Sequence, residues 1–229
     1  MFSDSELVLL RSILQQDLLK AIWETLYMTF VPAAAAFVIG LPLGVLLVTG
    51  DEGGIRPLPK ALMKALNALI NLLRSVPFLI LLVVVLPVSK LLVGTTVGSK
   101  AMLAPLAIAA FPFVARLVET SIREVDAGVV EAAQSMGAST WEIITKVLIP
   151  EAKPALIANF LVALITIFGY GAMAGLLGGG GLGALAVNYG YYRRKEAVLY
   201  VMVILMIVLV QVFQSVGDRL VKKTDKRSR

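Results

Sequence analysis

The sequence has no cysteine and no histidine among its 229 residues. Disulfides, thiolate nucleophiles, haem ligation by either residue, and imidazole-based metal or acid–base sites are therefore excluded. Charged residues are scarce at 16%, whereas 59% of the chain is hydrophobic and its mean hydropathy is +0.88. A composition this apolar indicates a membrane protein rather than a soluble domain. We expect no catalytic residue, no bound metal and no cofactor in this chain.

The apolar residues fall into five runs, and about 20 apolar residues suffice for one helix to cross a bilayer. The predicted spans are residues 26–48, 76–92, 97–117, 155–177 and 197–216. The predicted fold is an all-α membrane protein with five transmembrane helices in a domain over residues 21–216. Residues 1–20 mix charged and amide side chains with leucines, which predicts an interfacial amphipathic segment. In the first span, Ala36, Gly40 and Gly44 form a stripe that favours close helix packing.

Asp, Glu, Lys, Arg and His are missing from four long apolar stretches of the sequence. None occurs in the stretches 76–87, 101–115, 155–192 and 197–217. Proton relays and many ion-coupling sites need such groups inside the membrane. A proton-coupled carrier is therefore disfavoured, whereas a sodium-coupled one that uses backbone carbonyls remains open. If the chain moves a solute uphill, we expect another subunit to supply the free energy.

Lysine and arginine residues set the predicted orientation, because they concentrate in cytosolic loops. Residues 217–229 form a basic tail that contains Arg219, Lys222, Lys223, Lys226, Arg227 and Arg229. This tail predicts a cytosolic C-terminus and, with five spans, an external N-terminus. The cluster Arg193-Arg194-Lys195 disagrees, since it would lie on the outer side. The net charge of +6 is attributed to loops that face anionic headgroups, not to nucleic-acid binding.

Two glycine-rich strings resemble nucleotide-binding motifs only formally. Gly178–Gly183 contains G-x-G-x-x-G, but a dinucleotide site needs that turn between a strand and a helix. Here the string follows a predicted span, so a packed or flexible break is expected. Gly94–Lys100 places its serine and lysine in the wrong order for a phosphate-binding loop. Neither string predicts an ATP site.

A polar element over residues 126–150 lies between the third and fourth predicted spans. Asp126 can cap a helix that runs to Met136, and Gly137 suits the left-handed residue that ends it. Ser139 and Glu142 fit a capping box that begins a second helix, which Pro150 is predicted to stop. From these residues alone, the element is either a docking site for a soluble partner or an amphipathic hairpin on the membrane surface.

The spacing within this element resembles a known family motif. Glu131-Ala132-Ala133, three residues, Gly137, nine residues and Val147–Pro150 resemble the EAA loop of binding-protein-dependent ABC importer permeases. Val147 and Ile149 depart conservatively from the family's isoleucine and leucine. Trp23–Leu26, Arg74–Phe78, Gly169–Met173 and Gly180–Gly183 are similar to the methionine importers of that family, so the resemblance covers nearly the whole chain.

The resemblance implies a type I ABC importer permease fold with a cytosolic coupling helix. It implies a non-catalytic homodimeric subunit in the bacterial inner membrane that moves D- or L-methionine. Its implied partners are a second copy of the permease, two cytosolic ATP-binding subunits and an extracytoplasmic methionine-binding protein. The alternatives are the same fold with another amino acid or small polar solute, or a sodium-coupled carrier or channel that acts alone. A membrane enzyme is disfavoured by the missing side chains.

The resemblance also assigns roles to individual residues. Contacts to the ATPase are assigned to Glu131, Ala132, Ala133, Ser135, Met136, Gly137, Ser139, Glu142 and Pro150. Within that set, Gly137 permits the turn and Pro150 sets the angle back into the membrane. Met173 is the candidate for narrowing the translocation pathway, and Tyr170 is a second candidate. Ordinary packing of Met173 against lipid or a neighbouring helix is an equal alternative.

Overall fold

The structure is a computed structural model that describes residues 4–224. The chain divides into two compact units, and each is assembled from separate segments. The first unit comprises Met1–Ala34, Pro77–Ala110 and Leu164–Phe213. The second comprises Ala35–Val76, Phe111–Ala163 and Gln214–Arg229. Residues 1–3 and 225–229 lie outside the described part, so the predictions for the first residues and for the end of the basic tail are not addressed there.

Between residues 4 and 224 the backbone forms helices joined by turns and irregular segments, with no strand. The α-helices are α1 Asp4–Gln16, α2 Leu18–Thr49, α3 Lys60–Ser75, α4 Phe78–Val93, α5 Ser99–Arg123, α6 Ala127–Ser135, α7 Thr140–Glu142, α8 Ile149–Ala174, α9 Gly181–Leu185 and α10 Glu196–Thr224. A 3₁₀ turn at Gly175–Leu177 follows α8. Two stretches, Ile143–Leu148 and Ala186–Tyr192, have the wider π-helical hydrogen bonding. The predicted all-α architecture is confirmed.

Four continuous helical stretches are long and apolar enough to cross a membrane. They are Leu18–Thr49, Ser99–Arg123, Thr140–Leu177 and Glu196–Thr224. A fifth candidate is the pair α3 and α4, whose helices are bent by 107° at the break between them. The prediction of five membrane helices therefore holds if this bent pair counts as one. The predicted span 76–92 corresponds to α4 alone, and the first span begins earlier than predicted because α2 starts at Leu18.

The core of the first unit consists of two clusters of buried side chains. In one, Ile13 of α1 and Ala21 of α2 pack against Leu182, Val198 and Met202. The N-terminal helix α1 is thus anchored by its own apolar face. The second cluster contains Met28, Leu82, Ala101, Met102, Leu106 and Ala174. Burying a leucine, isoleucine, valine or methionine side chain in these clusters contributes about 1.5–3 kcal/mol in water, and lipid reduces that gain.

The second unit depends on close contact between α2 and α5. A Cβ atom at Gly44 would lie 2.6 Å from the carbonyl oxygen of Ala115 and from the Cβ of Val118. At Gly40 it would lie 2.7 Å from a methyl carbon of Val114. Both positions therefore need glycine for space, which agrees with the predicted stripe of small residues. Leu47, Met63, Ile70 and Ala115 form the buried cluster beside this contact.

Candidate coupling site

The first helix of the polar element is α6, and both of its ends are capped as the sequence predicts. The Asp126 carboxylate accepts a hydrogen bond from the N–H of Gly128 at 2.7 Å. At the other end Gly137 has φ +78°, and the N–H of Ala138 donates to the carbonyl of Ala133 at 3.1 Å. This is a Schellman turn, which satisfies carbonyls that the helix leaves open. A Cβ at Gly137 would meet no atom within 4 Å, so glycine is required there for its conformation only.

The second helix begins with the predicted capping box. The N–H of Ser139 donates to the Glu142 carboxylate at 3.1 Å, and the Ser139 hydroxyl donates to the same oxygen at 2.8 Å. In return, the N–H of Glu142 reaches the Ser139 oxygen at 3.4 Å. Lys146 binds the other carboxylate oxygen at 2.9 Å. These contacts fix the direction in which the chain leaves the turn after Gly137.

The prediction that Pro150 stops this helix is wrong. The chain stays helical from Thr140 through the π-helical stretch Ile143–Leu148 and into α8, which contains Pro150 and ends at Ala174. The N–H of Ile149 bonds to the carbonyl of Ile144, five residues back. A π turn already widens the helix and shifts its hydrogen-bond register, so a residue that lacks an N–H is accommodated directly after it. Pro150 consequently sets no angle between separate helices.

The helix α6 exposes most of its surface. Ala133 is buried at 5% relative exposure, and it faces inward with the half-buried Val130. The remaining predicted contact residues of α6 and its turn are exposed, namely Glu131, Ala132, Ser135, Met136 and Gly137. Met136 is 82% exposed and Trp141, on the far side of the turn, is 72% exposed. Two large apolar side chains that flank a rigid polar turn are typical of a protein interface.

Trp141 was not among the predicted contact residues. The available signal was a tryptophan between polar residues, one position after a helix start. Glu142, by contrast, is half-buried, and its side chain is engaged in the capping box rather than directed at a partner. Its role is therefore to hold the turn. The structure thus brings the predicted residues from Glu131 to Glu142 together on one helix–turn–helix and leaves Pro150 apart, inside α8.

An open cleft of about 510 Å³ lies beside α6 in the second unit. Its lining includes Glu131 and Gln134 of α6 together with Asp51 and Arg123. Arg123 donates to Asp51 at 2.9 Å, and this hydrogen bond, reinforced by the N–H of Glu52, lowers the pKa of the Asp51 carboxyl. Asp51 thus stays ionised, and Arg123 balances its charge. Glu131 forms no ion pair within residues 4–224, so its charge is available to a basic group of a partner.

The two predicted pathway residues lie in the first unit. Tyr170 stacks flat on Phe78, with ring centroids 3.8 Å apart and an interplanar angle of 5°. Met173, one turn further along α8, is 45% exposed. Between residues 4 and 224 no three carboxylate side chains are grouped to hold a metal ion.

Similarity to known proteins identifies the family to which this arrangement belongs. Residues 40–229 match the family described as "Binding-protein-dependent transport system inner membrane component". A probable D-methionine transport system permease protein, MetI of Vibrio cholerae, is 51% identical over 92% of this chain and 93% of its own length. The methionine import system permease protein MetP of Bacillus subtilis is 46% identical over 92% of this chain and 95% of its own length.

Solved structures agree with the sequence comparisons. A chain from inward-facing conformations of the MetNI methionine ABC transporter superposes with a TM-score of 0.88 at 42% identity, covering 91% of this chain and 96% of that one. A chain of an amino acid ABC transporter has the same fold, with a TM-score of 0.72 at 20% identity over 90% of this chain and 92% of that one. The chain has the type I importer permease fold and belongs to the family of binding-protein-dependent transport system inner membrane components.

Proposed function

We propose that this chain is the permease subunit of an ATP-driven importer that carries methionine, as the D- or L-isomer, across the bacterial inner membrane. The relatives above carry methionine transport in their names, and they align with nearly the whole chain. The observation that carries the mechanism is the exposed helix–turn–helix around Gly137 (φ +78°), whose shape is held by the Schellman turn and the Ser139–Glu142 capping box. An element of fixed shape that exposes Met136 and Trp141 can bind a partner and follow its movement.

In this mechanism α6 is the coupling helix and rests in a groove of a cytosolic ATP-binding subunit. Closure of two such subunits on ATP moves α6 as a rigid body, and the membrane helices alternate between inward-open and outward-open states. Met136 and Trp141 supply apolar contacts, and Glu131 supplies a charge. The Ser139–Glu142 capping box fixes the start of the second helix, and this helix transmits displacement because it continues without a break into α8. The permease itself carries out no hydrolysis.

The functional assembly contains two copies of this permease, two ATP-binding subunits and an extracytoplasmic methionine-binding protein. Residues 21–216 form its membrane domain, residues 126–150 its coupling loop, and residues 217–229 a cytosolic tail. The N-terminus lies outside. Within the pathway, Met173 narrows the passage, and the stacked ring of Tyr170 on Phe78 holds the neighbouring wall in place. This assignment draws support from the exposure of Met173 on a segment that also contains Gly169 and Gly171.

Uptake into sealed vesicles tests the proposed function. Vesicles that contain the permease and the ATP-binding subunits, with the binding protein supplied outside, should accumulate radiolabelled methionine only when ATP is inside. Unlabelled D- and L-methionine should compete, whereas other amino acids at equal concentration should not. Solute flux through the permease alone would overturn the ATP-driven mechanism. Preferential competition by another amino acid would overturn methionine as the solute and leave the mechanism in place.

The proposed orientation can be tested separately because the chain contains no cysteine. Ser99→Cys should react with a membrane-impermeant maleimide from outside intact cells. Thr224→Cys should react only after the inner face is opened. Labelling of Ser99→Cys from the cytosolic side alone would reverse the proposed topology.

A further inference from the structure

The helix α3, the first half of the bent pair, has a composition unlike that of the four continuous candidate spans. It contains 16 residues, or about 24 Å of helix, which is shorter than the ~30 Å hydrocarbon core. Its buried residues are Met63 and Ile70, which pack with Leu47 and Ala115 in the second unit. One face of α3 therefore packs against the rest of the second unit. The two edges that flank this face differ in polarity.

One edge of α3 is apolar and uncovered in the structure. Leu62 and Leu69 are each 52% exposed, and Leu72 is 65% exposed. At about 100° per residue these three leucines lie within a sector of about 80°. A second copy of the chain or a soluble partner would need a complementary groove, whereas acyl chains accept such an edge without one.

The opposite edge of α3 is cationic. Lys60 and Lys64 lie about 160° and about 120° around the helix from the centre of the leucine sector. Lys60 forms an exposed ion pair with Glu52 at 3.1 Å, while Lys64 pairs with no acidic side chain of residues 4–224. Arg74, in the last turn, is also exposed. A helix with leucines on one edge and lysines on the other has the charge and shape for the interface between acyl chains and phosphate headgroups.

We propose that α3 is a membrane-surface helix that binds anionic phospholipids of the cytosolic leaflet, with its leucine edge among the acyl chains and Lys64 and Arg74 at the phosphates. The proposal rests on the orientation given under Proposed function, in which the loop after the first span is cytosolic. Only Val76 and Pro77 separate α3 from the apolar helix α4, so a membrane-embedded α4 would keep the C-terminal end of α3 close to the membrane. The sequence predicts an interfacial segment at residues 1–20 and none at α3.

The cationic edge of α3 also carries two amide side chains, beside Lys60 and Lys64, that reach α5. The Arg116 guanidinium donates to the side-chain oxygens of Asn67 at 2.8 Å and Asn71 at 2.9 Å. Arg116 also forms an ion pair with Glu119 at 2.6 Å. The guanidinium thereby joins α3 to α5 through a fixed pattern of donors, which a lysine would not reproduce.

This chain of contacts continues toward the coupling helix. Glu119 binds Arg123 at 3.0 Å, and Arg123 binds Asp51 at 2.9 Å. Arg123 ends α5 and lies three residues before Asp126, which caps α6. A membrane-bound α3 would therefore hold the base of the coupling helix in place. We expect anionic lipid to raise the amount of solute imported per ATP hydrolysed.

Spin labels test the placement of α3, since every introduced cysteine is unique in this chain. Leu69→Cys and Lys64→Cys would be labelled in the complete transporter in vesicles of phosphatidylcholine and phosphatidylglycerol. Molecular oxygen, which concentrates in acyl chains, should relax the label at 69 more than a water-soluble nickel chelate does. The label at 64 should show the reverse. A label at 69 that favours the nickel chelate, or that is shielded from both reagents, would overturn the proposal; shielding would indicate a protein partner instead.

Bound lipid provides the second test. Phosphatidylglycerol binding to the purified transporter would be measured by native mass spectrometry for wild type, Lys64→Gln and the charge-conserving control Lys64→Arg. Loss of one cation near the headgroups should weaken binding roughly fivefold, while Lys64→Arg should match wild type. Equal binding by Lys64→Gln and wild type would refute a headgroup contact. Because no solute is transported in this measurement, its outcome is independent of the solute assigned above.

Discussion

The Glu24 carboxylate accepts a hydrogen bond from the backbone N–H of Gly181 at 2.9 Å, although 157 positions separate the two residues. Beside it, the Thr25 hydroxyl accepts from the N–H of Leu182 at 2.9 Å. Gly180 and Gly181 have φ of +96° and +76°, which L side chains rarely adopt. The side chains of Glu24 and Thr25 thus hold the first turn of α9 against α2. They accept hydrogen bonds from N–H groups that have no partner within α9, because they lie at its N-terminus.

We predict that Glu24→Ala loosens this attachment and lowers the stability of the permease by about 1.5–3 kcal/mol, since a hydrogen bond to a charged acceptor is lost. Thermal unfolding of the purified protein in detergent measures the effect. Glu24→Gln is the matched control because its amide oxygen still accepts from Gly181. If Glu24→Ala unfolds at the wild-type temperature, the contact does not stabilise α9.

Gly137→Val should disturb the turn and leave the rest of the fold intact. The left-handed conformation costs an ordinary residue about 1–2 kcal/mol, and a β-branched residue more. With no atom within 4 Å of its Cβ, no clash adds to that cost, so membrane insertion should be normal while ATPase binding weakens. Co-purification with the ATP-binding subunit measures this. Gly137→Asn should bind nearly normally, since asparagine tolerates positive φ; equal binding by all three proteins would contradict the proposed turn.

Trp141→Ala should weaken the same association without affecting the fold, because the indole is 72% exposed and packs little within the chain. Removal of an aromatic interface side chain commonly costs about 2 kcal/mol, or roughly 30-fold in Kd. Binding of the ATPase to the permease in detergent measures it. Trp23→Ala is the control, since that indole is similarly exposed at 68% but lies outside the coupling loop. A smaller loss for Trp141→Ala than for Trp23→Ala would remove Trp141 from the interface.

Gly44→Ala should force α2 and α5 apart, because the new methyl would lie 2.6 Å from the backbone oxygen of Ala115. Overpacking of this kind costs about 1–3 kcal/mol, and a backbone oxygen cannot rotate away. Unfolding temperature in detergent measures the loss. Gly169→Ala is the control on α8, where a Cβ would meet nothing within 4 Å and alanine improves helix propensity. Similar unfolding temperatures for the two variants would show that the helices separate without cost.

The parts of this protein that the sequence predicted correctly are those fixed by neighbouring residues. The Asp126 cap, the Gly137 turn and the Ser139–Glu142 box each depend on residues within three or four positions, so their spacing carries the information. The apolar runs likewise set the number of membrane helices. Which of Met173 and Tyr170 faces a pathway depends on a second copy of the chain, and single-sequence reasoning leaves that open.

The parts that sequence reasoning missed depend on distant partners or on hydrogen-bond register. Asn67 and Asn71 appear unremarkable until Arg116, 49 and 45 positions away, is seen to contact them. Glu24 forms its hydrogen bond only in the folded chain, where the N–H of Gly181 lies beside it. Pro150 was assigned as a helix stop because its missing N–H normally ends a helix, and no local pattern indicated the π turn that absorbs it.

The π-helical stretch Ile143–Leu148 has a consequence for how force is passed along the chain. A π turn holds one residue more than an α turn, so everything on its N-terminal side is rotated by about 100° relative to an uninterrupted helix. Conversion of this stretch to regular α-helix would rotate Trp141 about the helix axis, while the direction of α8 would stay the same. In the proposed mechanism, rotation about the helix axis would therefore reach α8 through this stretch as well as displacement along the axis.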